Sequence, residues 1–245
     1  MVTAHDYPSA LAADQAGVDA ILVGDSLGMT VLGFESTISV TLDMMIHHCA
    51  AVKRGTRQAF LVADLPFLSY QISPAQALTN AGRLLQEGGA EAVKMEGGAH
   101  FASTVEAVVR AGIPVMGHIG LLPQSVHRHG GYRIQGRREE ERLRLVEDAL
   151  ALEQAGAFAL VLEAMDTQLA REITDKLTIP TIGIGAGRGC SGQVLVQADL
   201  LGYGPLPPPK FAQSYASLLE STIHAISQYA EDVRSGRFPE EKHEY

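Results

Sequence analysis

One local pattern returns along the chain and limits its fold more than any other feature: a helix-like segment, a glycine, then a short apolar run ending on a polar residue. Gln15-Ala16-Gly17 leads into Ala20-Ile21-Leu22-Val23-Gly24-Asp25, and Gly88-Gly89 into Ala92-Val93-Lys94-Met95-Glu96. Gly112 precedes Ile113-Pro114-Val115-Met116-Gly117-His118, and Gly156 precedes Phe158-Ala159-Leu160-Val161-Leu162-Glu163. The glycine suits the left-handed residue that closes a helix, and a bounded apolar run suits a parallel strand buried on both faces. Val2 to Ala4, Ala59 to Ala63 and Ile179 to Ile184 fit less tightly, and Val194-Leu195-Val196 is a weak eighth strand.

Helices are expected between them at roughly 8–16, 41–54, 73–87, 99–111, 139–155, 166–177 and 211–234. The one at 73 is well punctuated, with Ser73 as N-cap, Pro74 at the first helical position and Gly88 at the end. Eight strands in 245 residues predict an α/β chain folded as a single-domain (β/α)8 TIM barrel over 1–245. Gly-Pro-Leu-Pro-Pro-Pro at 204–209 then links the barrel body to a C-terminal helix over 210–234, and 235–245 is a polar tail. An open doubly wound sheet is the alternative, because periodicity does not report closure.

Charge and cysteine usage narrow the partners. Asp plus Glu number 28 against 19 Lys plus Arg, a formal net charge of −9; nucleic acid and anionic membranes both need a basic face, so neither is an expected partner. Cys49 and Cys190 lie far apart without C-x-x-C spacing, which suggests neither a disulfide framework nor a thiolate zinc site and fits a reducing cytoplasm. No apolar run reaches the roughly 18 residues of a membrane span, and Val2-Thr3-Ala4-His5-Asp6 is no signal peptide. A soluble cytoplasmic protein is expected.

In parallel barrels chemistry collects at the carboxyl ends of the strands. Those ends read Asp6, Asp25, Asp64, Glu96, His118 and Glu163. A single acid after a strand is commonly an N-cap, but Asp25, Asp64, Glu96 and Glu163 pointing into one mouth would repel each other and call for a cation. Carboxylate ligands with positions left to water and substrate describe Mg²⁺. Zinc fits less well, since His118 has no histidine partner at helical spacing; His47, His48, His127 and His129 read as structural or solvated. Lys94 shares a strand face with Glu96, so it either anchors a substrate carboxylate or forms an internal ion pair with an acid. Gly183-Ile184-Gly185-Ala186-Gly187 is a weak phosphate-loop signal, read as a tight strand exit that either lets backbone approach a ligand or simply turns. Residues 120–137, with Gly130-Gly131 and Gly136, form the longest stretch without regular pattern; their place after a strand ending in His118 favours an active-site lid, with a mobile surface loop as the alternative.

Seven segments occur together in order: Gly24-Asp25-Ser26-Leu27-Gly28-Met29, Ala63-Asp64-Leu65-Pro66-Phe67, Val93-Lys94-Met95-Glu96-Gly97-Gly98, Gly117-His118-Ile119-Gly120, Gly130-Gly131-Tyr132, Gln135-Gly136 and Pro209-Lys210-Phe211. Across nearly the whole chain they resemble the ketopantoate hydroxymethyltransferase family, a phosphoenolpyruvate mutase/isocitrate lyase type of barrel. The resemblance implies Mg²⁺ held by Asp25 and Asp64, with Glu96 completing the site directly or through water. It implies a 2-oxo acid bound by Asp25, Ser26, Asp64 and Lys94 in a pocket lined by His118, and Glu163 as the catalytic base. It further implies 5,10-methylenetetrahydrofolate as co-substrate and a homo-oligomer, a decamer in the family.

The chain departs from the family pattern in places. Met1 begins almost inside the first strand, where the family usually carries a leading segment; His5 stands for a usual Tyr and Leu122 for a usual Thr. Ser191-Gly192-Gln193 and Ala198-Asp199 replace the usual Asp-Gly-Gln and His-Asp, and Met165-Asp166 replaces the usual segment after Glu163. None of these touches the expected metal ligands or base. The rival readings are a Mg²⁺-dependent lyase of another 2-oxo acid and a degenerate barrel that binds without catalysis; the isocitrate lyase Lys-Lys-Cys-Gly-His segment does not occur.

Overall fold

The computed structural model describes residues 1–125, 133–204 and 207–245, and the chain divides into two compact units, Met1–Val196 and Gln197–Tyr245. In the first, β1 (Val2–Thr3), β2 (Ala20–Val23), β3 (Phe60–Asp64), β4 (Ala92–Glu96), β5 (Val115–Gly120), β6 (Ala159–Glu163), β7 (Thr181–Ile184) and β8 (Gly192–Gln193) form one curled sheet in chain order. Every neighbouring pair is parallel. Between them run α1 (Tyr7–Gln15), α2 (Leu27–Thr30), α3 (Leu42–Gly55), α4 (Pro74–Gln86), α5 (Ala102–Arg110), α6 (Glu139–Gln154) and α7 (Thr167–Lys176).

The helix punctuation works as the residues dictate. Ser73 Oγ accepts from Gln76 N–H, with Pro74 in the first turn. Gly17, Gly89, Gly112 and Gly156 carry φ of +75°, +76°, +90° and +93°, the left-handed geometry that lets the chain leave a helix and enter the next strand. At the end of α4 this role falls to Gly89 and not Gly88. Asp6 is an N-cap, its Oδ1 accepting from Ser9 N–H at 2.8 Å.

Register and the two-residue alternation of side chains sort the inner face into layers. Leu22, Val62, Ala92, Met116, Ala159 and Val161 form an apolar cluster packed against Met1, Phe158, Ile182 and Ile184. One step along the same face toward the carboxyl ends stand Asp64, Lys94 and His118, and Glu96 and Glu163 follow. Asp64 pairs in register with Lys94, Glu96 with His118, and Gly120 with Glu163. The apolar layer is a packed floor, and the ionisable groups are set on it.

Two elements differ from the sequence expectation. The eighth strand is Gly192–Gln193 rather than Val194–Val196: the left-handed Gly185 and Gly187 (φ +65° and +80°) turn the chain back early, so Ile182 already pairs with Gly192. Leu195 instead bridges to Val2, and Thr3 N–H donates to Leu195 O at 3.1 Å. In the second unit α8 (Gln197–Leu201) precedes α9 (Leu218–Arg234). The last helix therefore starts later than 210, with Phe211 to Ser217 making turns whose Tyr215 N–H donates to Leu200 O at 2.8 Å. The tail holds a short 3₁₀ turn at Glu241–His243. Among the described residues no helix is long and apolar enough to cross a membrane, and Cys49 and Cys190 are free thiols.

Candidate active site

Five of the seven expected site residues, Asp25, Asp64, Glu96, His118 and Glu163, were read from strand ends and Lys94 from the face it shares with Glu96, and the sheet brings these six together. Asp25 sits in the turn after β2, where its own N–H donates to Asp64 Oδ2 at 3.0 Å. Both carboxylates are buried. Ser26 follows in helical backbone with no capping bond from its side chain, and its Oγ borders the space over Gly24 that Asp64 Oδ2 also borders: a Cβ placed on Gly24 would lie 3.1 Å from one and 3.5 Å from the other. Chain and substrate groups can approach closely there because residue 24 has no side chain.

Lys94 Nζ lies 3.1 Å from Asp64 Oδ1 and 3.1 Å from His118 Nδ1. The internal ion pair that was one reading of Lys94 is thus formed. An ammonium has three hydrogens, so one remains for a ligand. Burial works against its charge, but Asp64, Glu96 and Asp25 outweigh that and hold its pKa above the ordinary lysine value. A lysine can only donate, so His118 Nδ1 accepts, and the proton of the neutral ring is on Nε2. Burial first and then Lys94 keep the imidazole pKa well below its usual value.

His118 Nε2 points at Glu163 Oε2, 3.3 Å away, yet without the alignment of a hydrogen bond. Glu163 is pushed up to about 7 by burial, with Lys94 pulling it back. Asp25 is also pushed up to about 7, by burial and then by the Asp64 charge. Glu96 is raised well above its ordinary value, mainly by burial. The cluster therefore holds four acids around one lysine.

The Asp25–Asp64 pair fits a hard divalent cation. Asp64 Oδ1 is buried and lacks an aligned hydrogen bond, Asp25 bears the repulsion of its neighbour, and both are oxygen donors of the kind Mg²⁺ takes. Glu96 joins them only at second hand, its Oε2 accepting from Gln124 N–H at 3.1 Å. Among the described residues no three His, Cys, Asp or Glu side chains converge as a closed metal cage. One or two carboxylates with remaining positions for substrate and water is the ordinary Mg²⁺ arrangement.

Sequence reasoning missed Gln124 and Tyr70. Gln124 lies in the 3₁₀ turn Pro123–Ser125 after β5 and is buried, with Nε2 donating to Asp25 Oδ2 at 2.9 Å and to Leu65 O at 3.0 Å. The Tyr70 hydroxyl is 2.9 Å from its Oε1 and 3.0 Å from Glu96 O. No periodicity marks an isolated polar residue in a loop; the only signal was its place shortly after His118. The expected lid at 120–137 falls partly on residues 126–132, outside the described residues, as do His127 and His129. His48 has the structural role expected of it, its Nδ1 2.6 Å from His5 O.

The profile of the family described as ketopantoate hydroxymethyltransferase matches residues 1–241. The chain belongs to the ketopantoate hydroxymethyltransferase family. It is 58% identical to 3-methyl-2-oxobutanoate hydroxymethyltransferase of Moorella thermoacetica, over all of this chain and 91% of that protein. It is 59% identical to the enzyme of the same name from Chloroflexus aurantiacus, over 99% of this chain and 86% of the relative. Among solved structures, a phosphonopyruvate hydrolase complex with oxalate and Mg²⁺ superposes with a TM-score of 0.63 at 15% identity, covering 98% of this chain and 86% of that one. A 2,3-dimethylmalate lyase of the PEP mutase/isocitrate lyase superfamily gives 0.62 at 18% identity, covering 99% and 85%. At these identities the two solved structures speak for the fold, and the ketopantoate hydroxymethyltransferase family membership rests on the sequence relatives.

Proposed function

We propose that the chain transfers a hydroxymethyl group from 5,10-methylenetetrahydrofolate to 3-methyl-2-oxobutanoate, consuming water and giving 2-dehydropantoate (ketopantoate) and tetrahydrofolate, a step of pantothenate and coenzyme A biosynthesis. The observation that carries this reading is the chain-long identity to hydroxymethyltransferases. The geometry supplies a physical account of the chemistry.

Asp25 and Asp64 would hold Mg²⁺, with Glu96 completing the site through an intervening group. Bound there, Mg²⁺ would supply positive charge for the carboxylate and keto oxygens of the oxo acid. Ser26 Oγ and the remaining hydrogen of Lys94 orient the acid, and His118 Nε2–H lines the pocket beside Glu163. Glu163 takes the proton from C3, since a carboxyl with pKa near 7 is an acceptor matched to neutral pH. Water opens the methylene bridge of the folate: both C–N bonds break, its two hydrogens go to N5 and N10 to give tetrahydrofolate, and the one-carbon unit is left at the formaldehyde level. The electron pair left on C3 attacks that carbon, and the oxygen it carries takes up the proton removed from C3 to become the hydroxymethyl group. The apolar floor of Leu22, Val62, Met116 and Val161 shields the charged layer from below and strengthens each interaction in it.

The sheet is read as closing into a (β/α)8 barrel, supported by the Val2–Leu195 bridge and by the Met1 amino group donating to Gln193 O at 3.1 Å. The chain is further read as one catalytic domain, ending in α9 and a polar tail, and as a cytoplasmic homo-oligomer, decameric by family resemblance. Sedimentation tests the assembly. The reaction is tested by incubating the protein with Mg²⁺, 3-methyl-2-oxobutanoate and 5,10-methylenetetrahydrofolate and following products by mass spectrometry. Ketopantoate is the expected product; cleavage of other 2-oxo acids with no ketopantoate would point to a lyase instead.

A further inference from the structure

Gln124 touches two acids of the cluster, one through its side chain and one through its main chain. Its Nε2 hydrogens go to Asp25 Oδ2 (2.9 Å) and Leu65 O (3.0 Å). Its Oε1 faces the Tyr70 hydroxyl at 2.9 Å and accepts from Gln71 Nε2 at 3.2 Å. Its backbone N–H donates to Glu96 Oε2 at 3.1 Å. A carboxamide has two donor hydrogens and two acceptor lone pairs; both hydrogens are used here, and a flipped amide would set its oxygen against Asp25 Oδ2 and Leu65 O, two acceptors. The same residue therefore fixes one oxygen of Asp25 through its side chain and one of Glu96 through its main chain. Those two acids come from different places, the turn after β2 and the end of β4, so Gln124 spans the two.

We infer that Gln124 is the positioning residue of the divalent-cation site: its locked amide occupies Asp25 Oδ2 and leaves Oδ1 as the oxygen offered to the metal. This rests on the reading that Asp25 and Asp64 hold the cation. Tyr70 acts one step further out. It is buried, and its hydroxyl accepts from Glu96 N–H at 3.2 Å and has its single hydrogen within reach of Gln124 Oε1 and Glu96 O, so it links the amide to the Glu96 main chain. Partners that orient ligands in this way commonly change metal affinity about 10- to 100-fold when removed.

The test uses Mn²⁺ as the metal, read by electron paramagnetic resonance with the full-length protein and no oxo acid. Gln124→Met keeps the length and volume of the side chain and removes its hydrogen bonds. The expected result is a Mn²⁺ dissociation constant raised about tenfold or more, with an altered line shape for the bound ion. Glu106→Gln, on the exposed face of α5 and away from the cluster, should bind Mn²⁺ as the unaltered protein does. If Gln124→Met does not fold, Tyr70→Phe carries the test: it keeps the ring in place and frees the amide, and a severalfold loss of Mn²⁺ affinity is expected. Unchanged affinity and line shape in the folded variant overturn the positioning role while leaving the metal site standing. Absence of Mn²⁺ binding by the unaltered protein overturns both.

Discussion

The Nε2 atom of His118 lies 3.3 Å from Oε2 of Glu163, and the other ring nitrogen is taken by Lys94 at 3.1 Å. The Lys94 contact decides the tautomer: Nδ1 must accept, so the ring proton faces Glu163. His118 is thereby a fixed neutral donor next to a carboxylate pushed up to about 7 by burial. In the proposed mechanism this acid near neutrality takes the proton, beside a donor that stays neutral.

The pH dependence follows from Glu163. Only its ionised form accepts a proton, so kcat/KM for 3-methyl-2-oxobutanoate at saturating Mg²⁺ should rise with pH and level off above about 7, with a slope near tenfold per unit on the acid side. A steady-state pH profile checks this. A profile flat from pH 5 to 8, roughly the range histidine and a raised carboxyl would cover, would remove Glu163 from the rate-controlling ionisation.

Glu163→Gln should keep oxo-acid binding, measured by calorimetry in the presence of Mg²⁺, while ketopantoate formation falls about 10²- to 10⁴-fold. Loss of binding with the activity would instead assign Glu163 to substrate capture.

Lys94→Met removes the only cation in contact with Asp64 among the described residues. With both groups buried, stranding Asp64 should cost about 3–5 kcal/mol, read as a lowered urea midpoint at pH 7. Because Mg²⁺ answers the same uncompensated charge, it should stabilise this variant more than the unaltered protein. Equal midpoints for the two proteins without metal would mean that the pair is not holding the cluster together.

Gly120→Ala links the sheet to the site. Gly120 ends β5 with φ +99°, and a Cβ there would come within 2.3 Å of Glu163 O. That contact is main chain and cannot swing away, so the end of β6 must shift and carry Glu163 with it. Overpacking of this kind costs about 1–3 kcal/mol. Melting should show that loss, accompanied by a fall in kcat larger than any change in oxo-acid affinity.

The strands and most helices were legible because burial on both faces and glycine exits leave a local mark, as in Ala92–Glu96 after Gly89. The inner charged layer was legible for the same reason: residues ending a parallel strand share one rim. What the sequence hid was decided by contacts between distant segments. The pairing of β8 two residues early depends on where Gly185 and Gly187 turn the chain, and the place of Gln124 depends on Asp25, Leu65, Tyr70 and Glu96, none of them near it in sequence. The choice between the two readings of Lys94 likewise required the distance to Asp64. Asp6 showed the opposite limit, a strand-end acid whose role is to cap α1.

The central claim is that the Asp25–Asp64 site and Glu163 together labilise the C3 proton of a 2-oxo acid. It is tested most directly by proton NMR of 3-methyl-2-oxobutanoate in D₂O with the protein and Mg²⁺, without folate. Loss of the C3 proton signal is expected with Mg²⁺, suppressed by chelator and by Glu163→Gln; a C3 signal that persists with folded, metal-loaded protein would contradict the claim.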